Sequence, residues 1–84
     1  MTYAVEILRA AQKQLAKIDR QVQSRIIASI RRLATDPRPS GCKKLSGRPA
    51  WRVRIGAYRV IYEIHEDQLV VLVVTIGNRG DVYR

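Results

Sequence analysis

The sequence predicts an α+β fold: an N-terminal strand, an antiparallel helical hairpin, then a mainly antiparallel β-sheet. Two changes of apolar period carry that expectation. Apolar residues alternate near the N-terminus, recur at spacings of three and four between about 10 and 34, and alternate again from Trp51 onward. Between the last two regimes, the stretch from Pro37 to Pro49 holds all 3 prolines of the chain, which suits a loop with a basic surface at Lys43 and Lys44 and an apolar anchor at Leu45.

Each element follows from its own pattern. Tyr3, Val5 and Ile7 share one side of a first strand over 3–8, in a run rich in β-forming types. Ala11, Leu15 and Ile18 form one face of a helix from Ala10 to Asp19, which leaves Gln12, Lys13, Gln14 and Lys17 to water. Val22, Ile26, Ile30 and Leu33 mark a second helix over about 21–34, with Arg25, Arg31 and Arg32 largely off the stripe. Asp19 is placed to cap that helix and Asp36-Pro37 to stop it. With one apolar face each, both helices must pack on the sheet.

In the second half, Trp51, Val53 and Ile55 point one way and Arg52 and Arg54 the other. After Gly56-Ala57, Tyr58, Val60, Tyr62 and Ile64 alternate with Arg59, Ile61 and Glu63, so the two runs form a hairpin. His65 to Gln68 reads as the next turn. Leu69 to Ile76 is apolar on both faces, which predicts the central strand, broken by Gly77, Asn78 and Gly80 before a short tail of Asp81-Val82-Tyr83-Arg84.

The chain of 84 residues fits a single domain, 1–84, with little left for a linker or a second core. Its 16 Lys+Arg against 7 Asp+Glu give a net charge of +9, and 46% hydrophobic content excludes a basic disordered tail. Arginine dominates the positive side, and its planar fork suits phosphate, so nucleic acid is the first partner to consider; an acidic protein surface would feel the same field. With one cysteine, Cys42, and one histidine, His65, neither an intrachain disulfide nor a structural zinc site is expected, and the sequence calls for no cofactor. Glu6 and Arg9 interrupt the N-terminal region, which predicts neither a signal peptide nor a membrane span, and hence a cytoplasmic protein with no membrane partner.

The hairpin register is specific. For a tight turn centred on Gly56-Ala57, Ile55 faces Tyr58, Arg54 faces Arg59, Val53 faces Val60 and Arg52 faces Ile61. Like charges directly opposite each other destabilise a sheet, so a face that gathers Arg52, Arg54 and Arg59 is more easily understood if it meets anions. The competing reading is that the arginines fan into water and cover apolar surface with their stems.

Metal-free RNA cleavage needs activation of the 2′-hydroxyl, stabilisation of charge on phosphorus, and protonation of the leaving 5′-oxygen. Arginine supplies the second role. Being fully protonated, it is a poor base, so the proton-transfer groups lie elsewhere. His65 reads as an ordinary turn residue, whereas Tyr83, close after Arg79, is a candidate acid near guanidinium groups.

At this point the chain resembles the RelE/ParE toxin superfamily over nearly all residues from Tyr3 to Arg84. The resemblance rests on Leu33-Ala34-Thr35-Asp36-Pro37-Arg38 through Lys44-Leu45-Ser46-Gly47, on Trp51 to Tyr62, and on Thr75 to Arg84. It implies a RelE-like fold and an mRNA interferase of a type II toxin–antitoxin system: a ribosome-dependent endoribonuclease that cuts messenger RNA in the A site by metal-free 2′-OH attack. Carried over by position, Arg59 and Arg79 meet the scissile phosphate, Arg52 and Arg54 position the substrate where RelE itself has lysines, and Tyr83 is the C-terminal catalytic tyrosine. Lys43, Lys44, Asn78 and Arg84 complete the expected RNA-binding set, with Asn78 standing where many relatives carry histidine. The implied partners are a RelB-like, partly disordered, net acidic antitoxin, the ribosome with its mRNA and rRNA, and operator DNA only through the antitoxin complex. Two rival readings are a ParE-type DNA gyrase inhibitor without RNase activity and a non-catalytic nucleic-acid or protein-binding module.

Overall fold

A computed structural model describes residues 2–78, and these build the α+β arrangement expected from the sequence. In chain order the elements are β1 (Ala4–Ile7), α1 (Arg9–Ala16), α2 (Arg20–Arg32), β2 (Lys43–Lys44), β3 (Trp51–Ile55), β4 (Tyr58–His65) and β5 (Val70–Asn78). The strands form one sheet in the order β1-β5-β4-β3-β2, antiparallel except for the parallel pair β1 and β5.

Both helices cover one face. Ala11 of α1 and Ile26 and Ile30 of α2, with Leu33, are buried against Val53, Ile55, Val60, Tyr62, Val71, Val73 and Ile76 of the sheet. Full burial of large side chains such as Ile26, Leu33 and Tyr62 contributes about 1.5–3 kcal/mol each. None of the helices among the described residues is long and apolar enough to cross a membrane.

The helical hairpin turns at Asp19, whose non-helical backbone lies between the two helices and whose side chain accepts a 3.2 Å bond from the Gln21 amide to start the second. The first helix therefore stops at Ala16, short of the expected Asp19, because the Lys17 and Ile18 amides tighten to bonds with Gln14 and Leu15 carbonyls three residues back. The second closes the same way: the Leu33 and Ala34 amides reach Ile30 and Arg31, ending the helix at Arg32.

Three sequence expectations need correcting. The central strand of the five is β4, with β5 between it and β1; a run that is apolar on both faces marks an interior strand, and three strands here are interior, β5, β4 and β3. Gly77 and Asn78 do not break β5, because pairing with Arg59 and Tyr58 carries the strand through them. The proline-rich loop also hides β2, a two-residue edge strand held opposite Trp51 and Arg52.

β1 reaches only as far as Val73, so among the described residues the edge of β5 beyond it has no strand partner. Gln14 of α1 fills the gap: its Oε1 accepts a 2.8 Å bond from the Ile76 amide. Near the other end of the sheet, the Tyr62 hydroxyl donates a 2.7 Å bond to the Pro37 carbonyl, tying the loop after α2 to β4. Burial first, then the neighbouring Cys42 thiol, pushes the Tyr62 phenol well above its ordinary ionisation range, so it remains a donor.

Candidate nucleic-acid interface

The tight turn at Gly56-Ala57 fixes which arginines meet. Gly56 adopts φ +59, the left-handed conformation that a two-residue hairpin loop requires at its first central position. The observed pairs are Ile55 with Tyr58, Arg54 with Arg59, Val53 with Val60, and Arg52 with Ile61, the register read from the sequence.

Strand alternation then builds two rows on the face away from the helices. One runs Arg54, Arg59, Gly77 across β3, β4 and β5; the next runs Lys43, Arg52, Ile61, Thr75 across β2 to β5. Rows two residues apart are separated by about 6.6 Å, so four cations share a small area. Their exposure differs in a way the sequence did not reveal. Lys43 and Arg54 are exposed, Arg52 is half-buried, and Arg59 is 5% exposed. Ile61, at 2%, is likewise enclosed although it lies outside the helix-side core. The patch is therefore an exposed cationic rim around an enclosed floor of Arg59 and Ile61.

Not every expected residue joins it. Lys44 pairs with Trp51, and Asn78 with Tyr58, so alternation assigns both to the helix side. Asn78 instead borders a cleft of about 330 Å³ with Lys17, Gln14 and Tyr58. Arg79, Tyr83 and Arg84 lie outside the described residues. His65 is the last residue of β4 and also opens the turn read from the sequence, its carbonyl accepting a 3.2 Å bond from the Gln68 amide, and its Nε2 lies 2.9 Å from Glu63 Oε1. Glu63 is four residues from Arg59, about 13 Å along the strand, so this pair sits beyond reach of a phosphate held at Arg59. Among the described residues no cluster of three or more His, Cys, Asp or Glu is placed to hold a metal.

A feature missed from the sequence lies at the outer edge of β3. A cleft of about 350 Å³ there is bordered by Arg54, Arg32, Ser29, Asp36 and Ser40. Arg32 reads along the chain only as a solvated helix position, and nothing in its spacing connects it to Arg54.

A family model for the ParE toxin of type II toxin–antitoxin systems, parDE, matches residues 5–83. An Escherichia coli protein named for its likeness to RelE toxins is 25% identical over 87 residues, covering 99% of this chain and 92% of its own. Among solved structures, the archaeal RelE–RelB complex from Pyrococcus horikoshii OT3 contains a chain 29% identical, with a TM-score of 0.85, covering 96% of this chain and 99% of that one. The RelBE2 toxin–antitoxin complex from Mycobacterium tuberculosis shares the fold at a TM-score of 0.82 and 21% identity, covering 94% of this chain and 100% of that one. With nearly the whole chain matched by one family model and by complete relatives, this chain belongs to the ParE toxin family of type II toxin–antitoxin systems, in the RelE/ParE superfamily, and has the RelE-like fold.

Proposed function

We propose that this chain is a toxin that cleaves messenger RNA in the ribosomal A site and is silenced by a cognate RelB-like antitoxin. The observation that carries the reading is the gathering of Lys43, Arg52, Arg54 and Arg59 on the helix-free face. In the reaction the ribose 2′-oxygen bonds to phosphorus and the bond to the 5′-oxygen breaks, leaving a 2′,3′-cyclic phosphate and a 5′-hydroxyl. The 2′-hydroxyl proton departs to a base, and the 5′-oxygen takes one from an acid. Arg52 and Arg54 hold the phosphate oxygens, while Arg59 beneath them adds a field strengthened by its low-dielectric surroundings. Arg79 and Tyr83 keep the roles that the resemblance gives them, with the phenol moving a proton or orienting the sugar.

The antitoxin reading draws on relatives: the Pyrococcus horikoshii and Escherichia coli RelE proteins are found in complexes with RelB. A net charge of +9 suits an acidic, partly disordered partner. Operator DNA would be met through that complex.

A second reading is favoured by the parDE description of the matching family model: inhibition of DNA gyrase with no RNA cleavage. Mapping mRNA ends on purified ribosomes, beside a gyrase supercoiling assay, separates the two. The nuclease reading expects A-site cuts by the wild-type chain that vanish in the Arg52→Ala/Arg54→Ala double variant and in Tyr83→Phe, with supercoiling untouched. Trapped, cleaved DNA with intact mRNA would replace it with the gyrase reading. A chain inert in both assays would be the non-catalytic module.

A further inference from the structure

We infer that the cleft at the outer edge of β3 is a second phosphate site, taking the backbone phosphate next to the one over the Arg54–Arg59 row. This rests on the RNA-cleavage reading and extends it to a residue outside the basic face, Arg32.

The cleft exists because β2 is short. Its two residues pair only with Trp51 and Arg52, so the outer side of Val53–Ile55 lacks a strand neighbour among the described residues. α2 packs near β3, and Arg32, its last residue, stands at this gap with Ser29 three positions earlier on the same helix face. Ser40 comes from the loop that follows. Two guanidiniums and two hydroxyls thus border a space of about 350 Å³. That is a donor set suited to phosphate oxygens.

One carboxylate, Asp36, shares the cleft, leaving a surplus of one positive charge. Arg32, Arg54 and Asp36 make no side-chain ion pair among the described residues, so both guanidiniums remain available and the carboxylate opposes an incoming anion. Continuity decides between an RNA and an acidic protein as occupant. Arg54 borders this cleft and is also the cross-strand neighbour of Arg59, with adjacent strands about 4.8 Å apart, so one nucleic-acid strand can lie over both.

The test is binding of a 2′-O-methyl single-stranded RNA, which cannot be cut, to the full chain over a range of salt. Arg32→Gln should weaken binding about tenfold at low salt, the loss of one charge-assisted contact, and reduce the log–log salt slope by about 0.7. Asp36→Asn should tighten binding several-fold. Opposite signs from two neighbouring substitutions cannot come from damaged folding. Wild-type affinity and slope in both variants, or a loss confined to binding an acidic antitoxin peptide, would overturn the cleft while leaving the RNA reading intact. A wild-type chain that fails to bind this RNA and cuts no ribosome-bound mRNA would overturn the RNA reading itself.

Discussion

Arg54 and Arg59 are direct cross-strand partners, one exposed and the other 5% exposed, so the sheet holds two like charges opposite each other at the point where the basic face is most concentrated. Such a pair opposes folding by about 0.2–1 kcal/mol. Removing the exposed member should therefore stabilise the fold while harming function. Arg54→Gln is expected to raise the melting temperature by a few degrees and to lower mRNA cleavage at least tenfold; thermal unfolding and mRNA end-mapping read the two effects. A lowered melting temperature would mean that Arg54 contributes to folding rather than to the anion surface.

Gln14 accepts from the Ile76 amide at an edge of β5 where the described residues offer no strand neighbour. Gln14→Leu removes the acceptor and should cost about 1 kcal/mol, with faster hydrogen exchange at the Ile76 amide. Gln14→Glu keeps an acceptor oxygen and should stay close to wild type. Equal exchange at Ile76 in all three proteins would show that water serves the amide equally well.

The buried Tyr62 phenol gives stability an alkaline limit. Its folded ionisation lies above the ordinary value of 10.0, so the neutral form is favoured in the folded chain and the contribution is complete below that value. As pH rises past it, the unfolded chain loses the proton first and stability falls by up to about 1.4 kcal/mol per pH unit from this group. Tyr62→Phe should cost about 1 kcal/mol at neutral pH through the lost bond to Pro37, yet show a shallower decline between pH 10 and 12 in denaturant titrations.

Asp19 separates the two helices and caps the second. Asp19→Ala should destabilise by about 1 kcal/mol, a drop of roughly 4–8 °C in melting temperature, and Asp19→Asn by less because it keeps an acceptor. Circular dichroism melts distinguish the two.

The hairpin register was legible because a two-residue turn leaves a single pairing, and Arg54 opposite Arg59 followed without knowledge of the rest of the sheet. The apolar stripes likewise named the core, from Ala11 to Ile76. Depth was hidden. Alternation tells which side Arg59 takes but not that it is enclosed there, since burial depends on everything packed around it. Lys43 and Lys44 read as one basic pair, but a two-residue strand within the loop divides them between opposite faces. Arg32 and Arg54, far apart in sequence, meet only because β2 ends early, and no local pattern encodes that.

The irregularity between β4 and β5 also has a consequence for which residues emerge on which side. Partners step from Thr75 at Ile61 to Val73 at Tyr62, so Val74 is a surplus residue in the ladder. Its presence makes the strand's odd–even count restart. Val71 and Val73 look toward the helices, and beyond the surplus residue it is Ile76 that does so while Gly77 falls beside Arg59. If Val74 instead took a regular place in the ladder opposite Ile61, Thr75 would face Val60 and Ile76 would fall into the arginine row opposite Arg59, where Gly77 now stands. One uncounted valine thus keeps an apolar side chain out of the place where charge is gathered.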